Sequence, residues 1–256
     1  RIYGNPVALA HRGHREFDAA IAVHAEREPD LAFVAADGFS HTMWAVEGQA
    51  ARDLCLGFTD VLYITDGHHR LAAATIVATD EGRPDPHLPA GLFAADQLRL
   101  RSFARCVVDP DADLEAVVAQ LRAAHRLEEV SPVEARPRGR HDFGVRIAGS
   151  SYRMHIDPDC VPTDRYLALD VNLLQDLVLE PLFGITNPRQ DRRLRFIADM
   201  AEREDEASEC IAYFLPFPVA VRDVLAIADM GLAMPPKSTW FAPKLPSGLV
   251  IRLLDG

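Results

Sequence analysis

Lysine is almost missing from this chain. Of 27 basic residues only Lys237 and Lys244 are lysines, and arginine fills every other basic position. If arginine serves for general solubility, these two positions ask for an ammonium specifically, a compact point charge suited to phosphate. Ser238 and Thr239 stand beside them, and chance clustering of two lysines is the plain alternative. Cysteine is scarce as well. Cys55, Cys106, Cys160 and Cys210 are scattered with no CxxC spacing, which points to reduced thiols in a cytoplasmic protein rather than to a zinc ribbon or a disulfide framework. No apolar run approaches the roughly 20 residues that a membrane span needs, and no signal-peptide pattern is visible. A GxxxxGK[ST] loop is missing, which argues against a P-loop enzyme. No helix-turn-helix with a basic recognition face is found, and a formal charge of −11 with a pI near 5.3 argues against a nucleic-acid partner. There are no repeats and no low-complexity tracts. A small-molecule substrate fits this profile, and an oligomer is compatible with it.

What is present centres on residues 61–75. Val61, Leu62, Tyr63 and Ile64 form a short apolar run of β-formers, and Leu71 to Ala78 is a strong helix pattern. Between them stand Asp66, Gly67, His68, His69 and Arg70. A strand end followed by a helix start offers backbone amides and the positive end of the helix dipole to an anion. Gly67 allows close approach of backbone to ligand. Arg70 opposes the helix dipole, so a bound phosphate would give it a local reason to be there. Asp66 is a candidate Mg²⁺ ligand or proton acceptor, and the two histidines bring the side-chain type used for general acid-base work near neutral pH. The plain alternative is a helix cap with surface histidines.

The rest of the chain reads as mixed α/β, an α+β arrangement whose mixed sheet includes hairpins. Strands are predicted at 5–9, 31–36, 39–46, 143–147, 152–156, 194–197, 210–215 and 249–253. Helices are predicted at 16–26, 113–127, 171–183 and 218–230. His11 and His14 are expected to be solvated loop residues, with a metal pair as the alternative. Trp44 is expected in the core, whereas His41 either faces a site or pairs across its hairpin. The basic, proline-rich stretch 132–140 reads as a mobile linker, and the acid-rich stretch 201–209 as a solvated turn. The length suits two parts, 1–110 carrying the phosphate-binding turn and 111–256 carrying the second motif.

The segment Asp66-Gly67-His68-His69-Arg70 resembles the DGHHR signature of the family called domain of unknown function 1015. Residues 37–44 resemble its DGxxHxxW segment, and residues 234–244 its MPPKSTxFxPK segment. That family is similar to the ParB/sulfiredoxin superfamily, which includes free L-serine kinases. The resemblance implies a ParB/sulfiredoxin-like fold in the first part. It also implies a phosphotransferase acting on a small hydroxyl compound such as L-serine, with ATP, ADP or pyrophosphate as donor and Mg²⁺ as cofactor. Under it, Asp66, His68, His69 and Lys237 are catalytic. Gly67, His68, His69, Arg70, Lys237, Ser238, Thr239 and Lys244 hold phosphate, with His41 and Arg105 behind them. Family members carry an aromatic-polar pair before the arginine, where this chain has Phe103 and Ala104. They also carry a longer N-terminal portion. Sulfiredoxin-type repair needs a cysteine where His68 stands. A non-catalytic nucleotide- or phosphate-binding module, or a ParB-like regulatory protein, is the alternative to the kinase reading.

Overall fold

Chain contacts divide the protein into two units, residues 1–98 with 244–256 and residues 99–243. The computed structural model describes residues 2–36, 38–80, 82, 88–198 and 209–253. Most of the acid-rich stretch 201–209 and most of the expected loop 81–89 lie outside the described residues.

The first unit runs β1 (Ile2–Tyr3), β2 (Val7–His11), α1 (Arg15–His24), β3 (Leu31–Val34), β4 (Ser40–Met43), α2 (Gly48–Gly57), β5 (Tyr63–Asp66), α3 (His68–Asp80) and β6 (Ala90–Ala94). A three-stranded sheet has the order β5-β2-β6, and β2 is antiparallel to β5 and parallel to β6. The ladder between β2 and β5 slips where Ala8 pairs with Asp66 and Leu9 with Ile64, so Thr65 is the extra residue. Such a bulge re-aims neighbouring side chains. Thr65 is tied down by its hydroxyl, which donates to Ala8 O at 3.0 Å. This unit buries little. Helix α3 buries only Ala74 and Ala78, one helical turn apart, while α1 and α2 bury no residue. Helix α2 has no counterpart in the sequence reading. Its apolar positions Ala50, Ala51, Leu54 and Cys55 are short and leave no buried stripe.

Two expectations are corrected in this unit. His11 is 2% exposed and packs edge-on against Phe17 and Phe58, so it is a core residue. His14 is the N-cap of α1, its Nδ1 accepting from Phe17 N at 3.1 Å. Trp44 is only half-buried, with Nε1 donating to Arg27 O at 2.8 Å.

The second unit contains β7 (Arg99–Arg101), β8 (Phe103–Val107), α4 (Leu114–Ala124), β9 (Arg126–Glu129), β10 (Asp142–Ile147), β11 (Ser150–His155), α5 (Asp170–Leu174), α6 (Glu180–Phe183), β12 (Leu194–Ala198), β13 (Ala212–Pro216), α7 (Val221–Asp229) and β14 (Trp240–Ala242). Six strands form one sheet in the order β12-β8-β13-β10-β11-β9, antiparallel at every pairing. Phe143, Val145, Ile147, Met154, Leu174, Val178 and Phe214 build one continuous core against it. The hairpin β10–β11 turns through Ala148 and Gly149, both at positive φ (52° and 80°), which matches the right-handed twist of paired strands. The helix expected at 171–183 is interrupted by a π-helical stretch, Gln175–Leu179, before Pro181. A proline has no N–H for the α ladder, and a one-turn change of pitch accommodates it. Gly184 closes the helix at φ 63°.

Stretch 132–140 is packed rather than a mobile linker. Ala135 is buried, and its carbonyl lies against Gly144, where a Cβ would come within 2.4 Å of it. Cys106 and Cys210 form a disulfide, with Cα atoms 5.2 Å apart. The reduced-thiol reading is therefore wrong for this pair. Their 104-residue separation hid it, because only the pairing of β8 with β13 brings them together. Cys55 and Cys160 are free and exposed. The chain finally returns to the first unit, where β15 (Arg252–Leu253) pairs antiparallel with β1.

Candidate functional site

The turn between β5 and α3 carries the sequence-predicted residues of the first unit. Gly67 sits there at φ 95°, a conformation that favours glycine. The Arg70 side chain folds back over it, and a Cβ on Gly67 would lie 2.8 Å from Arg70 Nη2. Arg70 Nη2 donates to Pro6 O at 3.2 Å and stands 4.0 Å from Asp66 Oδ1, while its buried Nε has no hydrogen-bond partner. The first intrahelical bond runs from Leu71 N to Gly67 O at 2.9 Å. The amides of His68, His69 and Arg70 therefore precede the helical ladder and face the helix's positive end. His68 and His69 are exposed.

Lys244 enters this turn from 178 residues away, with Nζ donating to Asp66 Oδ2 at 2.8 Å. Burial pushes Asp66 up, but the Lys244 hydrogen bond and charge, with the charge of Arg70 and the Gly67 amide, hold its carboxyl below the ordinary 3.8. Asp66 is thus an anion at neutral pH and a weak base. Mg²⁺ prefers several oxygen ligands. Asp66 supplies one carboxylate that already accepts from Lys244, and no group of three His, Cys, Asp or Glu gathers among the described residues. The residues at the turn do not by themselves make a resident Mg²⁺ site.

The second motif lies in the second unit. Lys237 adopts φ 50°, is exposed and places Nζ 5.4 Å from the centre of the Phe103 ring. Ser238 is buried, and its hydroxyl donates to Pro235 O at 2.5 Å. Thr239 is half-buried next to β14. Arg105 lies beneath them, 4% exposed, with Nη1 donating to Phe103 O at 2.7 Å and to Lys237 O at 3.2 Å. Its guanidinium stands 5.1 Å from the Phe196 ring, and burial pushes its pKa down to about 10. Arg105 supports the backbone of the Pro235–Thr239 segment. His41 in the first unit stacks on Phe33, ring centres 5.1 Å apart, directly across the hairpin.

Sequence reasoning missed a third group. Asp170, in the first turn of α5, is 9% exposed, and both its oxygens accept from His141 N at 3.0 and 3.1 Å. His141 adopts φ 67°, which turns that amide toward the carboxylate. Burial pushes Asp170 up to about 7 despite this bond. In sequence, Asp170 looks like any acidic residue at a helix start, so no spacing marks it.

Among solved structures the chain is similar to a conserved hypothetical protein from Pyrococcus furiosus, at 15% identity and TM-score 0.44, covering 96% of this chain and 79% of that one. It is similar to a free serine kinase in complex with AMP, at 18% identity and TM-score 0.41, covering 94% and 90%. It is also similar to SbnI with a C-terminal truncation from Staphylococcus aureus, at 11% identity and TM-score 0.43, covering 96% and 85%. No curated protein matches the chain. The model of the family described as "Protein of unknown function (DUF1015)" matches residues 1–175, more than half of the sequence, and the chain belongs to that family.

Proposed function

We propose that the protein is a phosphotransferase that holds a phosphate group at the 66–70 turn and passes a phosphoryl group to a small hydroxyl compound, with L-serine the first acceptor to test. The observation that carries this reading is the turn itself. Three amides ahead of the α3 ladder, the Arg70 guanidinium over Gly67 and the Lys244 ammonium on Asp66 lie together. Phosphoryl transfer needs positioning and neutralisation of charge more than covalent help from the protein. The amides of His68 and His69 would bind phosphate oxygens, with Arg70 forking onto a second edge. Lys244 would neutralise charge on the leaving phosphate. Asp66, kept anionic, would accept the hydrogen bond of the attacking hydroxyl and orient it. Mg²⁺, when bound, would arrive on the phosphates of ATP, ADP or pyrophosphate and add charge neutralisation there. Lys237 is kept as a candidate catalytic cation, with Ser238, Thr239 and Arg105 around it.

The test is calorimetric binding of phosphate, pyrophosphate, ADP and ATP with and without Mg²⁺, followed by assay for phosphoserine. Binding that Arg70→Ala abolishes, with product formed from one donor, supports the reading, and loss of turnover in Lys237→Ala would support its catalytic role. Binding without product from any acceptor would leave a non-catalytic phosphate module. No binding to any of the four sinks the proposal.

A further inference from the structure

The second unit holds a partly open cavity of about 120 Å³, well above the roughly 10–15 Å³ that holds one water. Leu169, Val171, Phe217, Val219 and Met234 give it apolar walls. Four charged side chains also line it: Asp170, Asp223, Arg140 and Arg222. Asp223 is 9% exposed, and the nearest cation, Arg140 Nη1, stands 3.8 Å from its Oδ2, too far for a hydrogen bond. The Asp223 side chain keeps 13% of its surface open, so its oxygens can accept from a ligand donor in the cavity. Asp170, held by the His141 amide, is the second acid.

The opposite charge is also supplied. Helix α7 begins at this cavity, and its first bonds run from Asp223 N and Val224 N to Ala220 O. The amides of Val221 and Arg222 therefore precede the ladder at the positive end of the helix. Arg222 adds an exposed guanidinium. Two acids and two arginines nearly cancel, so a net ion would leave one sign uncompensated in the cavity, whereas a neutral molecule carrying both charges would not. Ser238 and Met234 of the Met234–Lys244 motif line the same cavity, which gives that motif a place in the fold apart from phosphate.

We propose that this cavity binds a small zwitterion of the free α-amino-acid class. Its ammonium meets Asp223 and Asp170, its carboxylate meets Arg222 and the first amides of α7, and its short side chain lies on the apolar walls. The inference goes beyond the phosphotransferase reading and stands without it.

The test is calorimetry on the full chain with glycine, L-alanine and L-serine, set against ethylamine and propionate, each of which lacks one of the two charges. The amino acids should bind, and the single-charge probes should bind about tenfold or more weakly. Asp223→Asn and Arg222→Gln should each weaken amino-acid binding by about tenfold to a hundredfold, with thermal melts confirming that each variant folds. Arg222 is exposed, so its variant remains informative if Asp223→Asn is unstable. Arg70→Ala should leave amino-acid binding unchanged while removing phosphate binding, so the two sites fail separately. Equal binding of ethylamine or propionate, wild-type affinity in both cavity variants, or no binding of any amino acid overturns the proposal.

Discussion

Asp66 in the first unit and Asp170 in the second are the same side chain in opposite surroundings. Asp66 ends a three-stranded sheet, keeps two-fifths of its side chain in solvent and meets Lys244 and Arg70, which hold it ionised. Asp170 starts a helix whose Leu174 enters the apolar core, meets the His141 backbone amide with that residue's Nδ1 3.0 Å away, and is pushed up to about 7. The first is an open charged turn whose ion pairs face solvent. The second is a desolvated group that holds its charge only at a cost near neutral pH. The units around them differ in the same way. The first relies on small buried residues such as Ala10, Ala74 and Ala78, whereas the second interlocks Phe143, Met154, Leu174 and Phe214 with almost no exposure.

The largest test of that contrast is in the core. Phe143→Ala should cost about 3–5 kcal/mol by chemical denaturation, while Val61→Ala, at a 68% exposed position of the first unit, should change stability by less than about 0.5 kcal/mol. Equal effects would mean that the difference in core density has no energetic weight. Next is the disulfide. Replacing Cys106 and Cys210 together by alanine removes a constraint across 104 residues and should cost about 2–4 kcal/mol. The same loss should follow reduction of the wild type, with the Cys55 and Cys160 thiols intact in both.

The aspartates themselves can be separated by pH. Asp170 is raised on folding, so its contribution is fully present below its unfolded value near 3.8 and is lost as pH rises toward about 7. Wild type should therefore lose stability relative to Asp170→Asn across that window, read as the difference in Tm. Asp66 is lowered, so its contribution is present above 3.8 and is lost as pH falls below that value. Asp66→Asn should differ from wild type with the opposite slope, and more weakly because the group is exposed. A shared slope would remove the distinction drawn between the two sites. The smallest effect is expected from Lys244→Ala, which breaks an exposed ion pair worth at most about 1 kcal/mol. It should still weaken pyrophosphate binding at the turn severalfold, measured by calorimetry.

The strand-turn-helix around Gly67 was legible because its cues are local. An apolar run, one glycine and an alanine-rich helix occupy consecutive positions, and the structure shifts the strand only to Tyr63–Asp66. The hairpin at 142–155 and the helix at 114–124 were legible for the same reason, through alternation, helical periodicity and the Asp113 cap. Helix α2 was not, because its apolar positions Ala50, Ala51, Leu54 and Cys55 make a brief repeat and none of them is fully buried. His11 was misread because a histidine buried among aromatic rings looks the same in sequence as one in water.

By itself, then, the sequence determined the mixed α/β class, the family signature, the strand-turn-helix around Gly67 and the singular placing of two lysines, all written in neighbouring residues. Only the tertiary structure decided that Lys244 belongs to the Asp66 turn and that Cys106 is bonded to Cys210. It alone also decided that Arg140, Asp170, Arg222 and Asp223 line one cavity. Each of these pairs residues far apart in the chain, and such contacts follow from strand order and packing, on which local propensity has no hold.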